Sequence, residues 1–198
     1  DNALSVSGLL VDEIGGSSVK PYQPAGYYRH LNFPPRKYEQ HNDPRQWRRG
    51  LYVHWQRMFL HPMMKALDAP SREECTAERA RSNTPNASLV LLNDPTFVEA
   101  ARNFAQRIVS EGGDSFEQRI VFAYQQALNR APDTEEKAIF RQLFDDTRAQ
   151  YDQAEKQAGQ LSASGLSPAA KDIQPVELAS WTAVARGLFN LYEFTYRN

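Results

Sequence analysis

The stretch DPTFVEAARNFAQRIVSEGG, residues 94–113, decides the fold class. Asp94 offers a side-chain acceptor to the first turn of a helix, and Pro95 follows where a backbone N–H has no helical partner. Phe97, Ala101, Phe104 and Ile108 then recur at helical spacing and form one apolar stripe. Gly112-Gly113 supplies the stop. The same pattern repeats downstream. Asp114 with Glu117 predicts the start of a helix whose inner face is Phe116, Ile120, Ala123 and Ala127. Asp133 with Glu136 predicts another, with Phe140, Leu143, Phe144 and Tyr151 facing inward and a polar tail over 152–160. Residues 159–175 (GQLSASGLSPAAKDIQP) read as a mobile linker. A last helix from about Val176 carries Leu178, Trp181, Ala185, Leu188 and Tyr192 on its stripe.

Upstream the starts are weaker. Asp43-Pro44 predicts a helix running into RQWRRGLYVHWQRMF, and Ser71 with Glu74 predicts a short one carrying Cys75. Thr84-Pro85 repeats the cap-then-proline pattern. Near the N-terminus Val6, Leu9, Leu10 and Ile14 share a helical face closed by Gly15-Gly16. Nine of the 12 prolines lie between Pro21 and Pro95, so residues 17–42 are expected to be irregular. Their tyrosines and Phe33 argue for an arm packed down rather than free. No segment alternates in the strand manner. The expectation is all-α: one domain over 1–198, an irregular bundle of about six or seven helices with a long Pro/Tyr-rich arm.

Composition narrows function. At 41% hydrophobic side chains the chain can bury a core, and no apolar run approaches the roughly 20 residues of a membrane-spanning helix. A net charge of -1 gives no whole-chain attraction for nucleic acid or anionic lipid. One cysteine excludes an internal disulfide and any multi-cysteine metal or haem-attachment motif. The chain opens on Asp inside an amphipathic pattern, so it is expected to be a piece of a longer protein, with a natural end at its C-terminus.

The polar middle holds Asp68, Arg72, Glu73, Cys75, Arg79, Arg81, Asn83, Asn93 and Asp94. One reading is a pocket where guanidinium groups bind an anion or carboxylates act as acid and base. The other, which we favour, is a series of caps and turns tied by Asp–Arg pairs. Cys75 reads as a small buried hydrophobe rather than a nucleophile. His30, His41, His54 and His61 lack metal-ligand spacing; the best metal alternative pairs His54 or His61 with Asp68, and no metal is expected. Asn86-Ala87-Ser88 matches a glycosylation acceptor by chance.

Between Lys20 and Lys65 nine Lys and Arg residues face two acids, a local net of +7 against -8 for the rest. Aromatic residues interleave with them. Tyr22, Arg48, Arg49, Tyr52, Trp55 and Arg57 are the candidate binding residues of this region. Three uses fit this composition: an arm anchored by its rings, a docking face for an acidic partner, and a sugar-stacking platform using Trp47, Tyr52 and Trp55.

The run Leu67-Asp68-Ala69-Pro70-Ser71-Arg72-Glu73-Glu74-Cys75-Thr76, with Arg79, Ser82-Asn83-Thr84-Pro85 and Leu91-Leu92-Asn93-Asp94-Pro95 followed by Phe97-Val98-Glu99-Ala100, carries a resemblance. So do Leu4 to Leu10, Ser18 to Pro24, Arg48-Arg49-Gly50-Leu51-Tyr52 with Trp55 and Arg57, Arg130-Ala131-Pro132, and Trp181 to Arg186 with Leu191. The chain resembles the C-terminal domain of unknown function (fifteen-fifty-three type) of large planctomycete-type multidomain proteins. Where that family usually has Leu-Gln-Ala after the proline, this chain has Asn86-Ala87-Ser88. The resemblance implies a parent with a cytochrome-c-type domain, hence haem c elsewhere in the parent and none here. It implies a periplasmic or secreted address and a setting of polysaccharide breakdown. It assigns no catalytic residue. The leading expectation is a non-catalytic interaction or structural module. Its partners would be the parent's other domains, an acidic redox partner or an anionic glycan, without nucleic acid or a membrane span. The alternatives are a component of an enzyme acting on polysaccharides, with Asp68, Arg72, Glu73 and Arg79 in a pocket, or a glycan-binding module.

Overall fold

Cap chemistry and apolar stripes turn most of this chain into helix. The computed structural model describes residues 1–30, 35–56, 59–71, 73–78, 80 and 82–196. Among them run α1 (Asn2–Ser7), α2 (Pro62–Ala66), α3 (Pro85–Asn93), α4 (Pro95–Glu111), α5 (Phe116–Leu128), α6 (Thr134–Asp152), α7 (Glu155–Ser162), α8 (Pro175–Phe189) and α9 (Tyr192–Thr195). Two single 3-10 turns, Pro44–Trp47 and Gly50–Tyr52, precede α2. The described residues form isolated bridges and no sheet, so the protein is all-α. The chain divides into two compact units, one of Asp1 with residues 10–90, the other of residues 2–9 with 91–198.

The second unit is a helical bundle with α8 at its middle, packed along α4 and α6 and touching α7. Trp181 is 1% exposed and lies against Phe116 and Phe144, with ring centres 5.3 and 5.0 Å away. Phe104 of α4 stacks on Phe189 of α8, and Phe189 on Phe194 of α9. Each such ring withdrawn from water contributes on the order of 1.5–3 kcal/mol before entropy is counted. The starts follow the sequence closely. Asp94 Oδ1 accepts from Thr96 N at 2.9 Å, and Asp133 and Glu136 exchange bonds in a full capping box. One start differs by a residue: Ser115, not Asp114, caps α5, and its N3 partner is Gln118 rather than Glu117. Serine there reaches the Gln118 N–H at 3.2 Å while the Gln118 amide oxygen reaches back.

Two expectations change in form. The N-terminal helix ends at Ser7, because Gly8 takes φ +76° and Leu9 N returns to Leu4 O. Ile14, expected on its buried face, is 88% exposed. The stretch 159–175, expected as a mobile linker, contains the end of α7 and a buried Ser167 hydrogen-bonded to α4.

The first unit is largely irregular. Asp43 does cap, accepting from Arg45 N, but of the helix expected across 45–59 the described residues form only two 3-10 turns with extended backbone at Arg48 and Val53, and residues 57–58 lie outside the described ones. Long-range pairing takes these residues: Val11 bridges Arg48 and Val19 bridges Val53, with Val19 N donating to Tyr52 O and His54 N to Val19 O. The arm closes on itself through edge-on rings, Tyr28 on Tyr38 at 5.4 Å and Tyr27 on Phe59 at 6.2 Å. The short helix expected at 71–75 is absent among the described residues, which bend there instead; Ser71 Oγ accepts from Glu73 N in a side-chain turn.

Candidate functional site

The polar middle is best built from Asp68. It ends α2 in a left-handed conformation, φ +57°, which Asp tolerates better than most side chains. From there its Oδ2 accepts from both Ser82 N at 2.7 Å and Ser82 Oγ at 2.6 Å. The pair staples the ends of the intervening loop. On that loop Glu73 and Cys75 are exposed, so Cys75 is not the buried hydrophobe expected; a bent loop with no helix offers it no apolar face. Asn83 is exposed as well. Arg72, Arg79, Arg81 and Arg57 lie outside the described residues. Asn93 and Asp94 belong to the second unit, where Asp94 caps α4 and burial raises its carboxyl above the usual range against the pull of Thr96.

The expected binding residues divide by job. Arg48 is 5% exposed, and its guanidinium donates to the carbonyls of Glu13, Gly15 and Ser17 while lying 3.9 Å from the Tyr52 ring centre. Tyr52 Oη accepts from Gly15 N at 2.8 Å. Arg49 pairs with Asp12 at 2.7 Å, and Trp55 donates to Ser71 O at 3.1 Å. Tyr22 lends its carbonyl to His61 Nε2 at 2.8 Å. Trp47 is buried, at 9% exposure, and the Arg48 guanidinium covers one face of Tyr52, so the platform expected of Trp47, Tyr52 and Trp55 lacks its first ring and has a guanidinium on its second. Two more of the four histidines are engaged: Lys20 N donates to His41 Nδ1, and His54 faces Ser18 Oγ at 3.4 Å, while His30 is exposed. Among the described residues no group of three or more His, Cys, Asp and Glu is placed to hold a metal ion. No described helix is long and apolar enough to cross a membrane.

What the first unit leaves open is a cleft of about 480 Å³ walled by Tyr27, Tyr28, Arg29, Arg36, Lys37 and Glu39. Arg29 and Lys37 are exposed and no described acid pairs with either. Arg36 Nη1 donates to Gln56 Oε1 at 2.9 Å, which fixes its fork without neutralising it. A second hollow of about 460 Å³ shares Tyr27 and is lined by Lys65, Asp68, Thr84 and Asn86. Arg29, Arg36 and Lys37 entered the sequence reading only through the local charge; Asp43 two residues before Arg45 was a local sign that Arg45 would be taken, whereas the Arg49–Asp12 pair joins distant residues and gave none.

A second polar group lies in the bundle. Glu99, 4% exposed, accepts at Oε1 from Leu166 N and Ser167 N, both at 2.6 Å. Arg102, fully buried, donates to Ser167 O at 2.8 Å, Pro168 O at 3.2 Å and Gln106 Oε1 at 2.7 Å. Sequence reading missed this pair. Ala100, Ala101 and Ala105 widen the apolar face of α4, and that breadth was the clue that Glu99 and Arg102 would lack a solvent side.

An all-α protein whose polar residues, among those described, mostly cap, clamp and staple, and which carries a cationic cleft in its first unit, is what fold and site define. The chain matches the family model described as PSD1, protein of unknown function (DUF1553), over residues 1–144, and belongs to that family. No curated protein and no solved structure matches it. Arginines that carry the resemblance have structural work here. Arg48 clamps a loop, Arg130 bridges Glu136 and Glu193 at 2.6 and 2.8 Å, and Arg186 donates to Leu92 O.

Proposed function

We propose that this chain is a non-catalytic helical interaction module of an extracytoplasmic, haem-c-linked multidomain protein, and that its first unit docks an acidic partner. The observation that carries the reading is the fate of the basic stretch. Arg45 and Arg49 are neutralised by Asp43 and Asp12, and Arg48 is buried against carbonyls. Arg29, Arg36, Lys37 and Lys65 remain on hollows of one unit with Glu39 and Asp68 as the acids on those walls. Surplus charge of one sign on a concave surface steers an oppositely charged partner. The middle of the chain supports the same view, since Asp68 and Asp94 are each committed to closing a turn.

The haem-linked parent, its address outside the cytoplasm and its polysaccharide setting rest on the family resemblance. One observation favours the enzyme reading: Asp68 lines a hollow with Lys65, Thr84 and Asn86. Its carboxylate is already held by two short bonds from Ser82, which is why docking is preferred.

The test is calorimetric titration of the chain against the separately purified remaining domains of its full-length protein, at 50 and 300 mM salt. Docking predicts saturable binding that weakens as the Debye length shortens. No binding, or binding indifferent to salt, removes the reading.

A further inference from the structure

We propose that the Arg29–Arg36–Lys37 cleft is the docking groove, and that its occupant is an extended acidic peptide segment of the partner. This rests on the docking reading and names the site and the chemistry it selects.

Three cations stand on the cleft's walls against one acid, Glu39. All four residues are exposed at their charged side chains. Arg36 is pre-set by Gln56, so its fork loses little freedom on meeting a carboxylate. Lys20 adds a fourth positive charge nearby, 5.8 Å from the Tyr38 ring centre. Across Tyr27, the second hollow adds Lys65 and the side-chain acceptors and donors of Thr84 and Asn86. Such a surface suits a chain that brings carboxylates at intervals and amides between them.

The rings decide against the competing polyanions. Nucleic acid and sugar ligands use open aromatic faces. Here Tyr28 is 8% exposed and meets Tyr38 and Phe59 edge-on at 84° and 69°. Tyr27 meets Phe59 at 88°. The hydroxyls of Tyr27 and Tyr38 are spent on Leu60 O at 2.9 Å and Pro21 O at 2.6 Å. The aromatic residues are the frame of the cleft, and the charges are what it offers.

The experiment titrates a fluorescent decaglutamate peptide into the full chain at 50 mM salt, with decaglutamine, oligothymidylate and an oligogalacturonate decamer as comparators. Decaglutamate is expected to bind and decaglutamine not. R29E/R36E/K37E is expected to weaken binding by about ten-fold or more. R29A/K37A, which keeps the Arg36–Gln56 bond, should weaken it several-fold, and K171E in the other unit should leave it unchanged. Absence of decaglutamate binding, binding by both cleft variants as tight as the native chain's, or tighter cleft-dependent binding of either comparator polyanion overturns the proposal. If decaglutamate fails while salt-sensitive binding to the parent's domains persists, the groove is lost and docking stands. If that binding is absent too, both fall.

Discussion

The guanidinium of Arg48 lies 3.9 Å from the centre of the Tyr52 ring, and both residues hold the same loop, Arg48 by its carbonyls and Tyr52 by the amide of Gly15. A charged side chain that is 5% exposed is tolerable because several carbonyls replace its water. Lysine carries the charge but not the fork. Arg48→Lys is therefore expected to cost about 2 kcal/mol locally, and Tyr52→Phe about 1 kcal/mol. Hydrogen exchange at Val11 and Val19, whose amides bond Trp47 O and Tyr52 O, reads the change. Exchange there should speed up by about thirty-fold in Arg48→Lys. An unchanged rate would mean that the clamp does not hold the loop.

The Asp68–Ser82 staple makes a second prediction. Asp68→Ala loses both bonds and leaves a non-glycine residue at φ +57°, together costing about 2–3 kcal/mol of loop closure. Asp68→Asn keeps an acceptor and tolerates the left-handed backbone, so it is the milder change. Tryptic cleavage after Arg72, Arg79 and Arg81 is the measurement, since all three lie between the stapled residues in the sequence. The order of cutting should be Asp68→Ala fastest, Asp68→Asn next and the native chain slowest. Equal rates in the three proteins would show that the loop is held by something else.

The contrast between these units explains what the sequence could disclose. The starts at Asp94 and Asp133 and the stripe through Phe97, Ala101, Phe104 and Ile108 are local, set by neighbours within a few residues, and the structure has them. The stretch 45–59 looks equally helical, yet Arg48 and Val53 are extended because residues more than 30 positions away claim them. Propensity yields to such pairing whenever a buried guanidinium or a backbone bridge is at stake. The candidate site divides the same way. Asp94 as a cap was legible. The Asp68–Ser82 bond and the open Arg29–Lys37 cleft depend on how an irregular chain folds back, which no periodicity encodes.

A third prediction concerns Gly165 and Glu99. Gly165 has φ +90°, and a Cβ there would run into the Glu99 carboxylate. Gly165→Ala should thus combine backbone strain with displacement of a buried acceptor, about 2–4 kcal/mol in all. In a Glu99→Ala background the collision is gone and only the backbone term, about 1 kcal/mol, remains. Urea unfolding of the four proteins in this cycle gives a coupling energy. Additive costs would show that the two residues do not share one close contact.

The last prediction is of pH. His61 is 2% exposed, and burial pushes its pKa from the usual 6.5 down to about 4, although its bond to Tyr22 O pulls the other way. The folded chain therefore keeps His61 neutral where the unfolded chain has begun to protonate it. Stability is unaffected by this group above about pH 7, falls as the pH drops from 6.5 towards 4, and levels off below that. The whole window amounts to about 3 kcal/mol. His54, also lowered by burial and by Lys20, acts in the same direction, so a difference measurement is needed. His61→Gln should be less stable than the native chain at pH 7, having lost a fitted ring. By pH 4.5 that gap should shrink by about 2 kcal/mol, because only the native chain loses stability through this site. Urea midpoints at pH 7, 5.5 and 4.5 give the comparison, and a gap that stays constant would show that His61 takes up its proton as readily in the folded chain as in the unfolded one.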